Sequence, residues 1–129
     1  MKPEMLMLLW AVGLAFVQVL IAVQGAVMQV GLSALAGNRQ AMPEITGWAG
    51  RAGRAHRNMI ENLVLFTALV FLVIAAGKSN QMTALGAELF FWGRVAYALV
   101  YLGGFPWVRT LAWLVSVIGM VLMAIQLVR

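Results

Sequence analysis

The stretch RAGRAHRNMIENLVLFTALVFLVIAA, residues 51–76, joins the most polar part of the chain to an almost purely apolar run. Its first twelve positions hold three arginines, a histidine, a glutamate and two asparagines. A helix needs about 20 mostly apolar residues to cross a bilayer. We therefore predict a transmembrane helix over residues 58–77, with the polar residues clustered where it enters the membrane.

The composition of the whole chain is also that of a membrane protein. Of 129 residues, 64% are hydrophobic and 10% are charged, whereas soluble domains carry about 25% charged residues. The absence of cysteine excludes a disulfide framework and a protein thiol for catalysis or metal binding. The net charge of +5 fits membrane topology, lipid headgroups or an anionic ligand better than it fits nucleic acid.

The hydropathy pattern predicts a single all-α membrane domain, a bundle of four transmembrane helices over residues 1–129. Lipid favours helices because every backbone polar group must find a partner within the protein, and the alternating pattern of a barrel strand is absent. The predicted spans are about 5–34, 58–77, 82–103 and 106–128. The first exceeds the ~7–15 residues of a signal-peptide core, so we interpret it as a retained helix.

The connection over residues 36–57 indicates the orientation of the bundle. Its basic residues are Arg39, Arg51, Arg54 and Arg57, against the single acid Glu44. Cytoplasmic loops of membrane proteins are enriched in lysine and arginine. We therefore predict that this loop is cytoplasmic and that both termini lie on the other side.

The polar stretch has a helical order. Arg51, Arg54, Asn58, Glu61 and Leu65 follow alternating spacings of three and four residues, so they share one face of a helix. The arginines alone fit a membrane anchor whose side chains reach lipid phosphates. The amide and carboxylate lie deeper, and together with guanidinium groups they suit a zwitterionic ligand that carries a carboxylate.

Two further polar groups occur in the C-terminal half. Arg94, Tyr97 and Tyr101 form one stripe, and Arg94 lies so deep in the third span that it should face protein or water. The tyrosines alone would also fit an aromatic belt at the membrane surface. Arg109, followed by Thr110, lies near the positive end of the last helix, where a cation is better placed beside an anion. Arg109 could also serve as an anchor.

The predicted topology brings the three polar groups to the same membrane edge. The start of the second helix, the end of the third and the start of the fourth are all expected to be cytoplasmic. The sequence therefore predicts a polar pocket suited to an anion. It contains no metal-ligand cluster, phosphate-binding glycine loop or nucleophile–base pair, and His56 is interpreted as a solvated residue or, alternatively, a base.

The motifs RAGRAHRNMIEN at 51–62 and RVAYALVYLGGFPWVRTLAW at 94–113, framed by four apolar segments, resemble the MAPEG family. This family comprises membrane-associated proteins in eicosanoid and glutathione metabolism, and the resemblance is to its short bacterial members. It implies a homotrimer in the bacterial inner membrane that binds glutathione between subunits at the cytoplasmic side.

The resemblance also implies roles for individual residues. Arg51, Arg54, Asn58 and Glu61 would hold the backbone, charges and amino group of glutathione, with Arg94, Tyr97 and Tyr101 lining the same pocket. Arg109 would stabilise the glutathione thiolate, with Thr110 where some members have a serine. The implied activity is that of a glutathione transferase or peroxidase, acting on a lipophilic electrophile or lipid hydroperoxide that arrives from the bilayer.

The sequence departs from the family pattern at three positions. Leu65 stands where many members have proline, and Asn62 stands where conjugating members often have tyrosine. Gly31 lies where some eukaryotic enzymes have an arginine, a loss for which Arg39 is a candidate replacement. These departures keep a second hypothesis open, a non-catalytic protein that binds glutathione, another anionic metabolite or a lipid headgroup.

A third hypothesis is a small multidrug transporter, which also has four helices in a chain of about this length. Such a transporter needs a membrane-embedded acid that protons and cations share. The first helix offers only Glu4, and the other charges within the spans are mainly cationic, so this hypothesis is the least favoured.

Overall fold

A computed structural model describes residues 1–37 and 43–129. Its helices are α1 (Pro3–Val30), α2 (Leu32–Ala36), α3 (Gly47–Ala75), α4 (Gln81–Gly103) and α5 (Pro106–Val128). The four long helices are each long and apolar enough to cross a membrane, and these two ranges contain no β-strand. The predicted all-α, four-helix fold is therefore confirmed.

The helix that contains the polar stretch begins earlier than predicted. α3 starts at Gly47, so residues 47–57 are helical and do not belong to the loop predicted over 36–57. Ala49, Ala52 and Ala55 are buried at helical spacing between the arginines, and the Ala49 methyl group packs close to Gly25 of α1. The charges suggested a loop, but these alanines give the segment a packing surface. Arg39 lies outside the described residues.

The first helix is shorter than predicted. α1 ends at Val30, and Gly31 turns the chain into the short α2 with a φ of 85°, a conformation that glycine adopts at little cost. The side-chain amide of Gln29 accepts from the N–H of Thr46 at 2.9 Å and donates to its carbonyl at 2.7 Å. This pair of bonds attaches the end of α1 to the residue that precedes α3.

α3 and α4 are the central helices of the bundle, because each packs against the other three long helices. α1 also packs against α3, whereas α1 and α5 make no contact within the described ranges. The aromatic rings of Phe66 in α3 and Phe90 in α4 stack with centroids 4.0 Å apart at the centre of the core. α3 and α5 meet over a short region only, which leaves space between them at one end of the bundle.

α4 and α5 approach so closely that their backbones touch. A Cβ atom on Gly93 would lie 2.8 Å from the backbone nitrogen of Ser116. One on Gly86 would lie 2.5 Å from the carbonyl oxygen of Gly119. Small residues allow this kind of packing between membrane helices, where dispersion replaces the hydrophobic effect.

A polar cluster ties the helices together at the end of the bundle that carries the chain termini. The fully buried carboxylate of Glu4 in α1 accepts a hydrogen bond from the Ser79 hydroxyl at 2.7 Å and another from the Thr83 hydroxyl. Asn80, which caps α4, donates to the side-chain oxygen of Gln126 in α5 at 2.9 Å. Glu4 therefore joins α1 to the start of α4.

The α4–α5 contact predicts the effect of adding a single methyl group. We expect Gly93→Ala to lower the free energy of unfolding by about 1–3 kcal/mol, because its Cβ would force the two backbones apart. Gly13→Ala is the matched control, since a Cβ there meets no atom within 4 Å. Thermal unfolding in detergent, followed by tryptophan fluorescence, measures both. Equal unfolding temperatures for the two variants would contradict the close α4–α5 contact.

Candidate functional site

Two arginines of α3 hold the end of α4. Arg51 donates from Nε to the carbonyl oxygen of Leu102 at 3.1 Å, and Arg54 donates from Nε to the phenolic oxygen of Tyr101 at 3.2 Å. Leu102 lies in the last turn of α4, where carbonyl groups lack a partner within the helix. We call this end of the bundle, with Arg51, Arg54 and Arg109, the arginine end.

Two tyrosines of α4 each lie beneath a guanidinium group. The rings of Tyr97 and Tyr101 have centroids 5.4 Å apart. Cζ of Arg94 lies 4.3 Å from the centroid of Tyr97, and Cζ of Arg109, in α5, lies 4.7 Å from that of Tyr101. Cations are attracted to the faces of aromatic rings at these distances. The tyrosines therefore link the predicted arginines of α4 and α5 in one continuous row.

The guanidinium of Arg94 is buried without a hydrogen-bond acceptor. The residue is 1% exposed, and none of its Nε, Nη1 and Nη2 atoms has a partner in residues 1–37 or 43–129. Burying a cation without a partner is costly. Its contact with the Tyr97 ring offsets only part of that cost, so this position favours an additional anionic or acceptor group nearby.

A cavity of about 210 Å³ opens between α3, α4 and α5 at the arginine end. Its lining includes Asn58, Tyr97, Arg109, Thr110 and Trp113. It thus brings together residues from all three predicted polar groups. Because Arg109 also lies in the first turns of α5, the helix dipole adds to its positive potential, and an anion in the cavity would be stabilised by both.

The other predicted residues lie outside this lining. Arg51 and Arg54 contact α4 beside it. Glu61 is exposed and forms no hydrogen bond or ion pair with any residue that the structure describes. The Thr110 hydroxyl donates to the Pro106 carbonyl at 3.2 Å, so its proton is already used within α5.

Two contributing residues were not predicted as members of the site. Trp113 lines the cavity, and its position four residues after Arg109 places both on one helical face. Asn62 donates from Nδ2 to the backbone and side-chain oxygens of Asn58, at 2.8 and 3.2 Å, and so orients that amide. The spacing of four residues in each pair was the signal that could have identified them.

The departures from the family pattern also have structural consequences. α3 continues without a break through Leu65, where a proline would remove a backbone hydrogen bond. Gly31 has a positive φ of 85°, so an arginine at this position would be strained unless the backbone changed. The end of α1 is held by Gln29 through its bonds to Thr46.

Comparison with known protein families gives one match. The sequence model described as the MAPEG family matches residues 7–129. The matched region includes both quoted motifs and every described residue of the cavity. Comparison with curated proteins and with solved structures gives no match.

The two contacts of Tyr101 can be separated by substitution. Tyr101→Phe keeps the ring beneath Arg109 but removes the oxygen that accepts from Arg54, at a cost of about 0.5–1.5 kcal/mol. Tyr101→Leu also removes the cation–π contact, which adds about 0.5–1 kcal/mol at an exposed site. We expect unfolding temperatures to fall in the order wild type, Tyr101→Phe, Tyr101→Leu.

Phe71→Leu is the control for loss of a ring, because Phe71 is 69% exposed on α3. We expect this substitution to have little effect on the unfolding temperature in detergent. If Tyr101→Leu changes that temperature no more than Phe71→Leu does, the row of arginines and tyrosines contributes nothing to stability.

Proposed function

Because the chain belongs to the MAPEG family, we propose that it is a glutathione transferase or peroxidase. The enzyme stabilises the thiolate of glutathione for attack on a lipophilic electrophile or a lipid hydroperoxide. Family membership and four apolar helices already make it an integral membrane protein of the glutathione and eicosanoid metabolism family. The proposal adds the reaction and the residues that perform it.

The observation that carries the proposal is the shared cavity at the arginine end. Arg109, Asn58 and Tyr97 come from three different helices and line the same cavity. A cation, an amide and a phenol are the groups needed to bind a peptide that carries carboxylates and an ionised thiol.

The charged groups around the cavity match the remaining parts of glutathione. Arg51, Arg54 and Arg94, the last without an acceptor among the described residues, suit its carboxylates, because guanidinium groups bind carboxylates through parallel hydrogen bonds. Glu61, which is exposed and unpaired among the described residues, suits its ammonium group. A tripeptide extends beyond a cavity of about 210 Å³. We propose that a neighbouring copy in a homotrimer completes the site.

The proposed chemistry begins with the thiol. A free cysteine thiol has a pKa of about 8.5, and adjacent cations lower it to about 3.5–7.5. Arg109 provides this cation, and the released proton passes to water at the membrane surface. In conjugation, the thiolate sulfur forms a bond to the electrophilic carbon. The electron pair of the bond that breaks either departs with a leaving group such as a halide or moves along an activated double bond, whose far carbon then takes up a proton from water. In peroxide reduction, the thiolate attacks the terminal peroxide oxygen, the O–O bond breaks, and the alkoxide takes up a proton and leaves as the alcohol. The glutathione sulfenic acid that forms then condenses with a second glutathione to give glutathione disulfide and water.

The proposed orientation follows from the same site. Glutathione is a soluble, charged peptide, so it must reach the arginine end from an aqueous compartment. We propose that this end, with the loop predicted over 36–57, faces the cytoplasm of a bacterial inner membrane. The lipophilic substrate enters from the bilayer along α1 and α5.

The alternative function is a membrane protein that binds glutathione, another anionic metabolite or a lipid headgroup without catalysis. Two observations favour it. The cavity lining described includes no carboxylate or imidazole that could accept the thiol proton, and the Thr110 hydroxyl is bonded to Pro106. In this case Arg109 would attract the ligand without ionising a thiol.

Ultraviolet absorbance of the glutathione thiolate distinguishes the two functions. We expect purified protein to increase this absorbance at neutral pH, and Arg109→Ala to reduce the increase about tenfold or more, because a loss of one pKa unit changes the thiolate fraction tenfold. Turnover with a model electrophile and with an alkyl hydroperoxide should fall in parallel. Arg129→Ala is the control, since Arg129 is an exposed arginine at the C-terminal end of α5, opposite the end that holds Arg109.

Three results are possible besides the expected one. Glutathione binding without a rise in thiolate absorbance would support the non-catalytic alternative. Thiolate formation that is unchanged in Arg109→Ala would reject the role of Arg109. Absence of both glutathione binding and turnover would contradict the enzyme function and would leave the alternative only with a ligand other than glutathione.

A further inference from the structure

A second, apolar pocket lies between α1, α3 and α4, apart from the cavity at the arginine end. It has a volume of about 120 Å³, well above the ~10–15 Å³ that one water-sized group requires. Its walls are aliphatic, apart from the side chain of Gln18 in α1. We call it the Gln18 pocket.

The side chain of Gln18 is buried in an environment that does not satisfy it. Gln18 is 7% exposed, and its Oε1 atom is buried with no hydrogen-bond donor in the described part of the chain. The great majority of buried polar atoms in proteins have a partner. Leaving an amide oxygen without one, inside a membrane-spanning helix, is costly. The atom therefore indicates a missing donor.

The pocket opens at the outer surface of the bundle. Val17 and Leu99, which belong to its lining, are 50% and 67% exposed. They lie in α1 and α4, two of the helices that are able to span the membrane. A molecule could thus enter from the bilayer without crossing the arginine end.

We propose that the Gln18 pocket binds an uncharged amphiphile, an alkyl chain that carries one hydroxyl-type hydrogen-bond donor. The chain fills the aliphatic part, and its O–H group donates to Oε1 of Gln18, whose side chain turns towards the pocket because this atom is buried in the unliganded chain. No charged side chain lines the pocket among the described residues, so an ionised headgroup would be buried without a partner. A hydrocarbon without a donor would leave Oε1 unsatisfied.

The pocket is close to the glutathione site but does not depend on it. Ala55 of α3 lines the Gln18 pocket and also packs in the cluster of Tyr97 and Ala112, beside the cavity at the arginine end. Binding of an amphiphile requires neither Arg109 nor bound glutathione. The proposal can therefore fail or succeed independently of the proposed enzyme activity.

A pair of photoreactive probes tests the hydrogen bond directly. One is an eight-carbon alkyl alcohol with a diazirine in its chain, and the other is its methyl ether, which lacks the donor. Each is irradiated with the full-length protein in lipid nanodiscs without glutathione, and the labelled residues are identified by peptide mass spectrometry. We expect labels near Val17 and Leu99, with the alcohol favoured about two- to tenfold, the value of one neutral hydrogen bond.

Substitutions assign this preference to one atom. Gln18→Leu should bring the ratio of alcohol to ether labelling to about one. Gln24→Leu, the matched control at an exposed glutamine of the same helix, should keep the wild-type ratio. Ala98→Leu should reduce labelling by both probes, because Ala98 lines the pocket and a larger side chain would fill it.

The outcomes that overturn the proposal are equally specific. Equal labelling by alcohol and ether in the wild type would show that Oε1 recognises no donor. A preference that persists in Gln18→Leu would assign recognition to another group. Labels spread evenly over the lipid-facing surface would show that the pocket is not a binding site. Thermal unfolding in the same nanodiscs verifies that each variant is folded.

Discussion

A polar group inside a lipid bilayer has no water to bond with, and this constraint accounts for much of the architecture. The backbone meets it by forming helices. Side chains at the helix ends meet it by bonding to the next helix, as Glu4 does with Ser79 and Thr83, and as Arg51 does with Leu102. The apolar faces bring the helices together, but these polar contacts connect particular ends and so define which helix ends meet.

The same constraint identifies the buried polar atoms that one chain leaves unsatisfied. Among the described residues they belong to Arg94 and Gln18, besides one carboxylate oxygen of Glu4. Arg94 has three buried nitrogen atoms without an acceptor, and Gln18 has a buried oxygen without a donor, within the ranges described. They lie on different helices and need opposite kinds of partner. A charged, water-soluble ligand suits the first, and a neutral ligand from the membrane suits the second. The bundle therefore offers two chemically distinct environments, and residues of α4 line both of them.

Much of the fold was predictable because hydropathy and length determine which segments can span a membrane. The bounds of α4 and α5 agree closely with the predicted 82–103 and 106–128. The start of α3 was not predictable from charge alone, since its buried alanines act through their small size: Ala49 packs against α1 and Ala55 against α4 and α5.

Within the site, helical spacing grouped Arg94, Tyr97 and Tyr101 on one helix. Their contacts with other helices depend on how the helices pack. The spacing of residues within one helix does not show which neighbouring helix its polar face will meet. Thus Arg54 donates to Tyr101, whereas the carboxylate of Glu61, on the same predicted face, forms no hydrogen bond or ion pair with the described residues. The burial of Glu4 and Gln18 was equally unpredictable from the sequence, because burial depends on the neighbouring helices.

The central position of α4 has a consequence for biogenesis. Only Gly104 and Phe105 separate α4 from α5, so the two form a helical hairpin that is synthesised after α1 and α3. Until that hairpin inserts, α1 and α3 have only each other, and the Glu4 carboxylate lacks the hydroxyl of Thr83. The packing of α1 and α3 is therefore completed by a hairpin that follows them in the chain, and a chain truncated before α4 would leave the Glu4 carboxylate without its bond to Thr83.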